Sequence, residues 1–246
     1  MLDALWMFLA ACAAGAVNAV AGGGTLISFP VLLWLGRDAV LANATNALAL
    51  WPGNLAAAWG FREELRGALP WVKRLALPTV LGSLAGGWVL LRTPSPTFRG
   101  IVPFLILAAA LLMAFQGRIR SFLPHGSRRR RWGAAGLQFL VGLYVGYFGA
   151  GAGILTLATL GLLGLEDIHQ MNGVKAILVA GANGFAAAYF VLSGAILWPD
   201  ALWLALGAVV GGYAATHVAR AVGPEAVGRF TVVVGVLAAL VLLARV

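Results

Sequence analysis

Charge is scarce in this chain. Of its 246 residues only 10% are charged while 61% are hydrophobic, and mean hydropathy is +0.93. Soluble domains carry roughly 25% charged residues and about half apolar ones, so a water-soluble globule of this composition would have no surface to show. Short strands of alternating polarity are missing as well, which argues against a membrane β-barrel. Cysteine is limited to Cys12. A single thiol excludes an internal disulfide and any cysteine-based metal cluster; it reads as a small apolar packing residue. No Lys or Arg precedes the first apolar stretch, which begins Met1-Leu2-Asp3. A cleavable signal peptide wants a basic n-region, so this segment is expected to stay in the fold. Enzyme signatures are lacking too: no phosphate-binding loop, no HExxH and no Ser-His-Asp set. Neither an enzyme, a cofactor nor a metal is expected. The histidines His125, His169 and His217 fall in or near loops or a helix end. His169 with Glu166 and Asp167 fits a solvated loop better than a proton shuttle.

What the chain does have is apolar length. Ten apolar elements can be marked, at 4–20, 24–35, 43–60, 71–91, 99–115, 133–147, 152–164, 171–190, 200–219 and 229–245. About 20 helical residues cross a hydrocarbon layer of about 30 Å, so the fold class is an all-α polytopic membrane protein. The elements 24–35 and 152–164 are too short to cross. Each follows a glycine cluster, Ala21-Gly22-Gly23-Gly24 or Gly149-Ala150-Gly151-Ala152-Gly153, and is expected to be a re-entrant half-helix. The polar, basic stretch 117–132 divides the chain into a first transmembrane repeat, 1–116, and a second, 133–246.

The two halves echo one another. Gly22 and Gly24 recur as Gly151 and Gly153, and Asn43, Asn46, Asn54 and Pro70 recur as Asn172, Lys175, Asn183 and Pro199. Each pair is offset by 129 residues (151 − 22, 172 − 43, 199 − 70). Repeated hydrophobic segments with corresponding interruptions point to a transporter's substrate site. Charge placement indicates how the halves are related. The loop 61–74 holds Arg62, Arg66, Lys73 and Arg74, whereas its counterpart 190–199 holds no basic residue. Under the positive-inside rule those loops lie on opposite sides, so the repeats are expected to be inverted, each a hairpin plus three spanning helices. Counting then puts the linker 117–132 and the turn Arg220–Arg229 in the cytoplasm. Both termini and the loops 36–42 and 92–98 fall outside. Four spans per half is the rival arrangement. The net charge of +9, including the run Arg128 to Arg131, follows this loop pattern and does not indicate nucleic acid.

Residues that do not belong in lipid mark the candidate site. Lys175 lies inside an apolar segment, where a lysine costs about 2.5–3.5 kcal/mol and usually faces a cavity or a partner. Snorkelling to a nearby interface is the plainer alternative. Asn43 and Asn46 are three apart, as are Asn172 and Lys175, so each pair shares a helix face. Asn54 and Asn183, eleven residues beyond Asn43 and Asn172, return to that face at 3.6 residues per turn. Interhelical hydrogen bonding is the competing role for such stripes. Both stripes cross a weak point, Trp51-Pro52-Gly53 and Gly181-Ala182-Asn183-Gly184, where proline or glycine eases bending. Half-helices starting after Gly24 and Gly153 would present N–H groups and a positive dipole end, a natural anion site. The candidate substrate-binding set is therefore Gly22, Gly23, Gly24, Thr25, Asn43, Asn46, Asn54, Gly151, Gly153, Asn172, Lys175 and Asn183. The glycines of Gly82-Ser83-Leu84-Ala85-Gly86 and Gly207-Ala208-Val209-Val210-Gly211 look instead like small-residue helix interfaces.

These motifs resemble the sulfite exporter TauE/SafE family over nearly the whole chain. The first half carries Ala21-Gly22-Gly23-Gly24-Thr25-Leu26-Ile27-Ser28-Phe29-Pro30, Ala42-Asn43-Ala44-Thr45-Asn46, Pro52-Gly53 and Trp59-Gly60-Phe61-Arg62. The second carries Tyr147-Phe148-Gly149-Ala150-Gly151, Met171-Asn172-Gly173-Val174-Lys175 and Gly211-Gly212-Tyr213. The second glycine cluster departs from a plain glycine run. The resemblance implies a multi-pass permease of the prokaryotic plasma (inner) membrane for sulfur-containing anions such as sulfite, thiosulfate or a sulfonate like sulfoacetate. The expected function is a secondary transporter working by alternating access. A passive anion channel and a non-transporting membrane scaffold are the alternatives. Expected partners are the anion and membrane lipids, not nucleic acid; a coupling ion, proton or sodium, and homo-oligomerisation stay open. Neither substrate nor direction is decided by the residues.

Overall fold

The computed structural model describes residues 2–20, 23–63, 65, 67–115, 133–165, 167–222 and 224–244. The linker 117–132, with its basic run, lies outside the described residues, as do Gly22 and Glu166. Among the described residues there are ten helices and no strand. In chain order they are α1 (Leu2–Val20), α2 (Thr25–Trp34), α3 (Ala39–Gly60), α4 (Leu69–Arg92), α5 (Ser95–Ala114), α6 (Gly133–Tyr147), α7 (Ala152–Leu162), α8 (Ile168–Leu192), α9 (Trp198–Val222) and α10 (Pro224–Leu243). Stretches within α4, α5, α8 and α10 are long and apolar enough to cross a membrane. The protein is a multi-pass, all-α membrane protein.

Two helices begin earlier than the apolar runs imply because polar caps start them. The Asp38 side chain accepts from the N–H groups of Val40 and Leu41, each at 3.0 Å, so α3 begins at Ala39. Asp167 accepts from His169 and Gln170 and starts α8 at Ile168. Such caps satisfy N–H groups that have no partner inside the helix. Helix starts recur at the sequence offset: α3 and α8 begin 129 residues apart (168 − 39), as do α4 and α9 (198 − 69) and α5 and α10 (224 − 95).

The hairpin α1–α2 returns to the end of the molecule where it starts. Arg37, in the turn after α2, bonds Asp3 at 3.3 Å and Asp200, at the start of α9, at 2.6 Å. The hydrogen bond to Asp200, ahead of the partial desolvation that opposes it, holds the Arg37 guanidinium above its ordinary pKa. At the same end Val40 N donates to Ser95 Oγ at 3.4 Å, and Leu197 N donates to Thr45 Oγ1 at 3.0 Å. A second group of turns meets elsewhere. Gly67 abuts Gln170, and Gly173 abuts Phe61 and Leu65. Leu65, Ala68, Leu75, Leu160, Leu165, Met171, Val174 and Leu178 form one buried apolar cluster there.

Two glycine seams hold the bundle. On α6, a Cβ at Gly142 would lie 2.3 Å from Thr79 O and one at Gly146 1.9 Å from Ser83 O; on α4, one at Gly86 would lie 2.0 Å from Leu143 O. On α9 and α1, a Cβ at Gly211 would meet Cys12 O at 1.8 Å and one at Gly15 would meet Ala208 O at 2.1 Å. Backbones in direct contact give the van der Waals packing on which helix association in lipid depends. Each seam joins a helix from before the linker to one from after it, so the two halves interlock. Between the seams α3 and α8 cross, and there Trp51 Nε1 donates to Ala180 O at 2.9 Å across a separation of 129 residues. Residues at equivalent positions of the echo thus touch each other.

Candidate functional site

The α3–α8 crossing borders a cavity of about 340 Å³, also lined by the starts of α2 and α7 and by α5. That volume is at the lower end of the range of small-molecule sites, about 300–1,000 Å³. Helix periodicity brings its polar groups together. Asn43, Asn46 and Asn54 on α3, and Asn172, Lys175 and Asn183 on α8, all line it. Gly23, Thr25, Gly151 and Gly153 line it from the hairpins. The first short helix starts after Gly24 as expected, but the second starts after Gly151, not Gly153, which lies inside α7; neither start carries a side-chain cap.

The wiring of these groups is specific. Lys175 Nζ donates to Asn172 Oδ1 at 2.9 Å. Its aliphatic stem runs past α7, where a Cβ on Gly153 would lie 3.4 Å from Cδ. Asn43 Nδ2 donates to the carbonyl of Tyr147 at 3.0 Å, and Asn46 Oδ1 accepts from Ser28 Oγ. Asn183 Nδ2 donates to Val179 O at 3.1 Å. Each amide therefore ties down one atom. An amide NH₂ carries two donors and an ammonium three, so donor capacity remains toward the cavity. Leu50, Met113, Phe148, Ile154 and Leu157 supply apolar wall. Among the described residues, Lys175 is the one ionisable side chain of the lining, and no group of His, Cys, Asp and Glu is arranged to hold a metal. The chemistry offered is one cation and several amide donors around one cavity, which complements a small anion.

With this geometry in view, comparison with known proteins is decisive. The profile of the family described as "Sulfite exporter TauE/SafE" matches residues 7–242. The chain belongs to the sulfite exporter TauE/SafE family. A probable membrane transporter protein, ORF9, from a Sinorhizobium species is 28% identical over 97% of this chain and 92% of its own length. A probable membrane transporter protein of Haemophilus influenzae is 29% identical over 83% of this chain and 80% of its own. The probable membrane transporter protein YfcA of Escherichia coli is 26% identical over 93% of this chain and 85% of its own. No solved structure matches the chain significantly.

Most of the residues singled out in this TauE/SafE chain converge on the cavity, and the exceptions are informative. Gly24 does not line it: it is buried, with a Cβ position 2.3 Å from Ala14 O, so its lack of a side chain serves the α1–α2 approach. Gly22 lies outside the described residues. His169 is exposed in the first turn of α8, away from the lining. Asn18 and Met113 line the cavity without having been singled out, and Phe61, Phe148 and Gly149, named in the motifs, line it although they stood outside the candidate set. Asn18 Nδ2 donates to Asn54 Oδ1 at 3.2 Å and positions it. A lone Asn in the apolar run of α1 was the available signal. Comparing repeats hid it, because its counterpart (18 + 129) is Tyr147.

Proposed function

We propose that this protein is a secondary transporter that moves a small sulfur-containing anion, such as sulfite, thiosulfate or a sulfonate, across the prokaryotic plasma membrane by alternating access. The observation that carries this is the convergence of the Lys175 ammonium and the α3 and α8 amides on one cavity between two hairpin starts. Fixed donors in an enclosed site replace the hydration shell of an anion. Family membership supports sulfur chemistry, and the relatives' names support transport.

In this proposal the halves 1–116 and 133–246 are inverted repeats. Supporting it, α3 runs from the Arg37–Asp200 end to the Gly67–Gln170 end, and α8 runs back. The basic loop around Arg62 puts the Gly67 end in the cytoplasm under the positive-inside rule, with the linker 117–132. Both termini are then outside. The bodies that move are not the repeats themselves, because the seams α1–α9 and α4–α6 bind helices across the halves. Two mixed bodies rock about the Trp51–Ala180 contact.

Radiolabelled sulfite and thiosulfate flux in proteoliposomes tests the site, with Lys175→Met beside wild type. We expect flux to fall at least tenfold in the variant, the loss of about 1.4 kcal/mol or more of binding. Undiminished flux removes Lys175 from the site. Flux that never runs uphill under any proton, sodium or counter-anion gradient favours a channel. Absence of both flux and anion-induced thermal stabilisation favours a scaffold.

A further inference from the structure

Among the described residues, the cavity is lined by one positive charge and no negative charge. Among the described residues, the ion pairs are Arg37 with Asp3 and Asp200, and Arg62 with Glu63, none of which involves Lys175. Every element around its ammonium presents uncharged groups to the cavity. Among the described residues they include Asn172 and Asn183 on its own helix, Asn43, Asn46 and Asn54 on α3, Gly153 on α7, Asn18 on α1, Thr25 on α2 and Met113 on α5. An ammonium withdrawn from water without an anion is strongly disfavoured, whereas one paired with an anion and hydrogen-bonded is tolerated.

An alternating-access carrier passes through a state closed on both sides. With an anion bound, the cavity closes around an ion pair whose remaining lone pairs meet amide donors. Empty, it closes around a bare cation. We infer that the protein is an obligatory anion exchanger: it reorients rapidly only with an anion against Lys175, so an anion moving one way is matched by a second small anion returning. This inference rests on the cavity being the anion site proposed above. The counter-substrate is defined by the same chemistry, a compact oxyanion able to accept from the ammonium and the amides. Exchange of like-charged anions moves no net charge and needs no cation gradient.

The test uses proteoliposomes of the full chain loaded with radiolabelled sulfite or thiosulfate. They are diluted into a medium of large buffer anions, with or without the same unlabelled anion outside. We expect the external anion to accelerate efflux at least tenfold, and an imposed potassium diffusion potential to leave the exchange rate unchanged. Equal efflux in both media overturns exchange and leaves transport standing. No efflux in either medium overturns the transport reading itself. Lys175→Gln, checked for an unaltered thermal unfolding profile, separates the cause. Its absolute exchange falls, but its ratio of exchange to net efflux drops toward one. An undiminished ratio removes Lys175 as the origin of the coupling.

Discussion

At the scale of single residues, the polar groups of the membrane interior serve two purposes. Asn43 joins α3 to the end of α6, Asn46 joins α3 to α2, and Asn54 joins α3 to α1 through Asn18. Interhelical hydrogen bonding and a role in binding are therefore not alternatives here, because an amide can spend one atom on a neighbouring helix and offer the other to a cavity. Lys175 depends on a glycine opposite it. A methyl at Gly153 would sit at ordinary contact distance, 3.4 Å from Lys175 Cδ, whereas a branched side chain would push into the lysine stem. Gly153→Ala should therefore transport with near wild-type KM. Gly153→Val should raise KM about tenfold, equivalent to about 1.4 kcal/mol, within the usual cost of overpacking. The concentration dependence of sulfite flux measures this, and identical KM values for the two variants would contradict the packing of Lys175 against α7.

At the scale of helices, the glycines divide into those that line the cavity and those that let backbones touch. Gly151 and Gly153 belong to the first kind, Gly24, Gly142 and Gly146 to the second. The sequence separates them only partly. Gly82, Gly86, Gly207 and Gly211 are readable as helix interfaces from their small-xxx-small spacing. Gly24 directly follows Gly23, which lines the cavity, and only its contact with Ala14 reveals its role. A contrast within α6 tests the seam. Gly136 has no atom within 4 Å of its Cβ position, while that of Gly146 overlaps the Ser83 carbonyl. Gly136→Leu should unfold at or above the wild-type temperature, since leucine favours helix over glycine. Gly146→Leu should destabilise by about 3 kcal/mol or more, because the backbones of α4 and α6 must part. Thermal unfolding in detergent distinguishes the two, and equal shifts would refute close contact along the seam.

At the scale of the whole molecule, the turns gather into two ends. Asp3, Arg37, Ser95 and Asp200 lie at one, and Gly67 and Gln170 at the other. The proposed orientation follows from the basic loop at the second end and is open to direct measurement. In a Cys12→Ser background, a membrane-impermeant maleimide added to intact cells should label Ser193→Cys and spare Gly67→Cys. Both native positions are exposed. The reverse pattern would invert the orientation, and labelling of both would dissolve the two-ended arrangement.

Much of this architecture is local in origin and could be read from the chain. Length and hydropathy give the helices, because crossing about 30 Å of hydrocarbon needs about 20 apolar helical residues whatever their neighbours. The 129-residue echo and helical periodicity gather the asparagines and Lys175 onto two faces. Tertiary structure decided the rest. It chose which helices pair across the linker, it brought Asn18 to Asn54 over 36 residues, and it closed Arg37 on Asp200 over 163. Such contacts depend on close backbone approach and on side-chain reach between segments far apart in sequence. No periodicity encodes them, and they turn two polar stripes into one site with a single ammonium among its described residues.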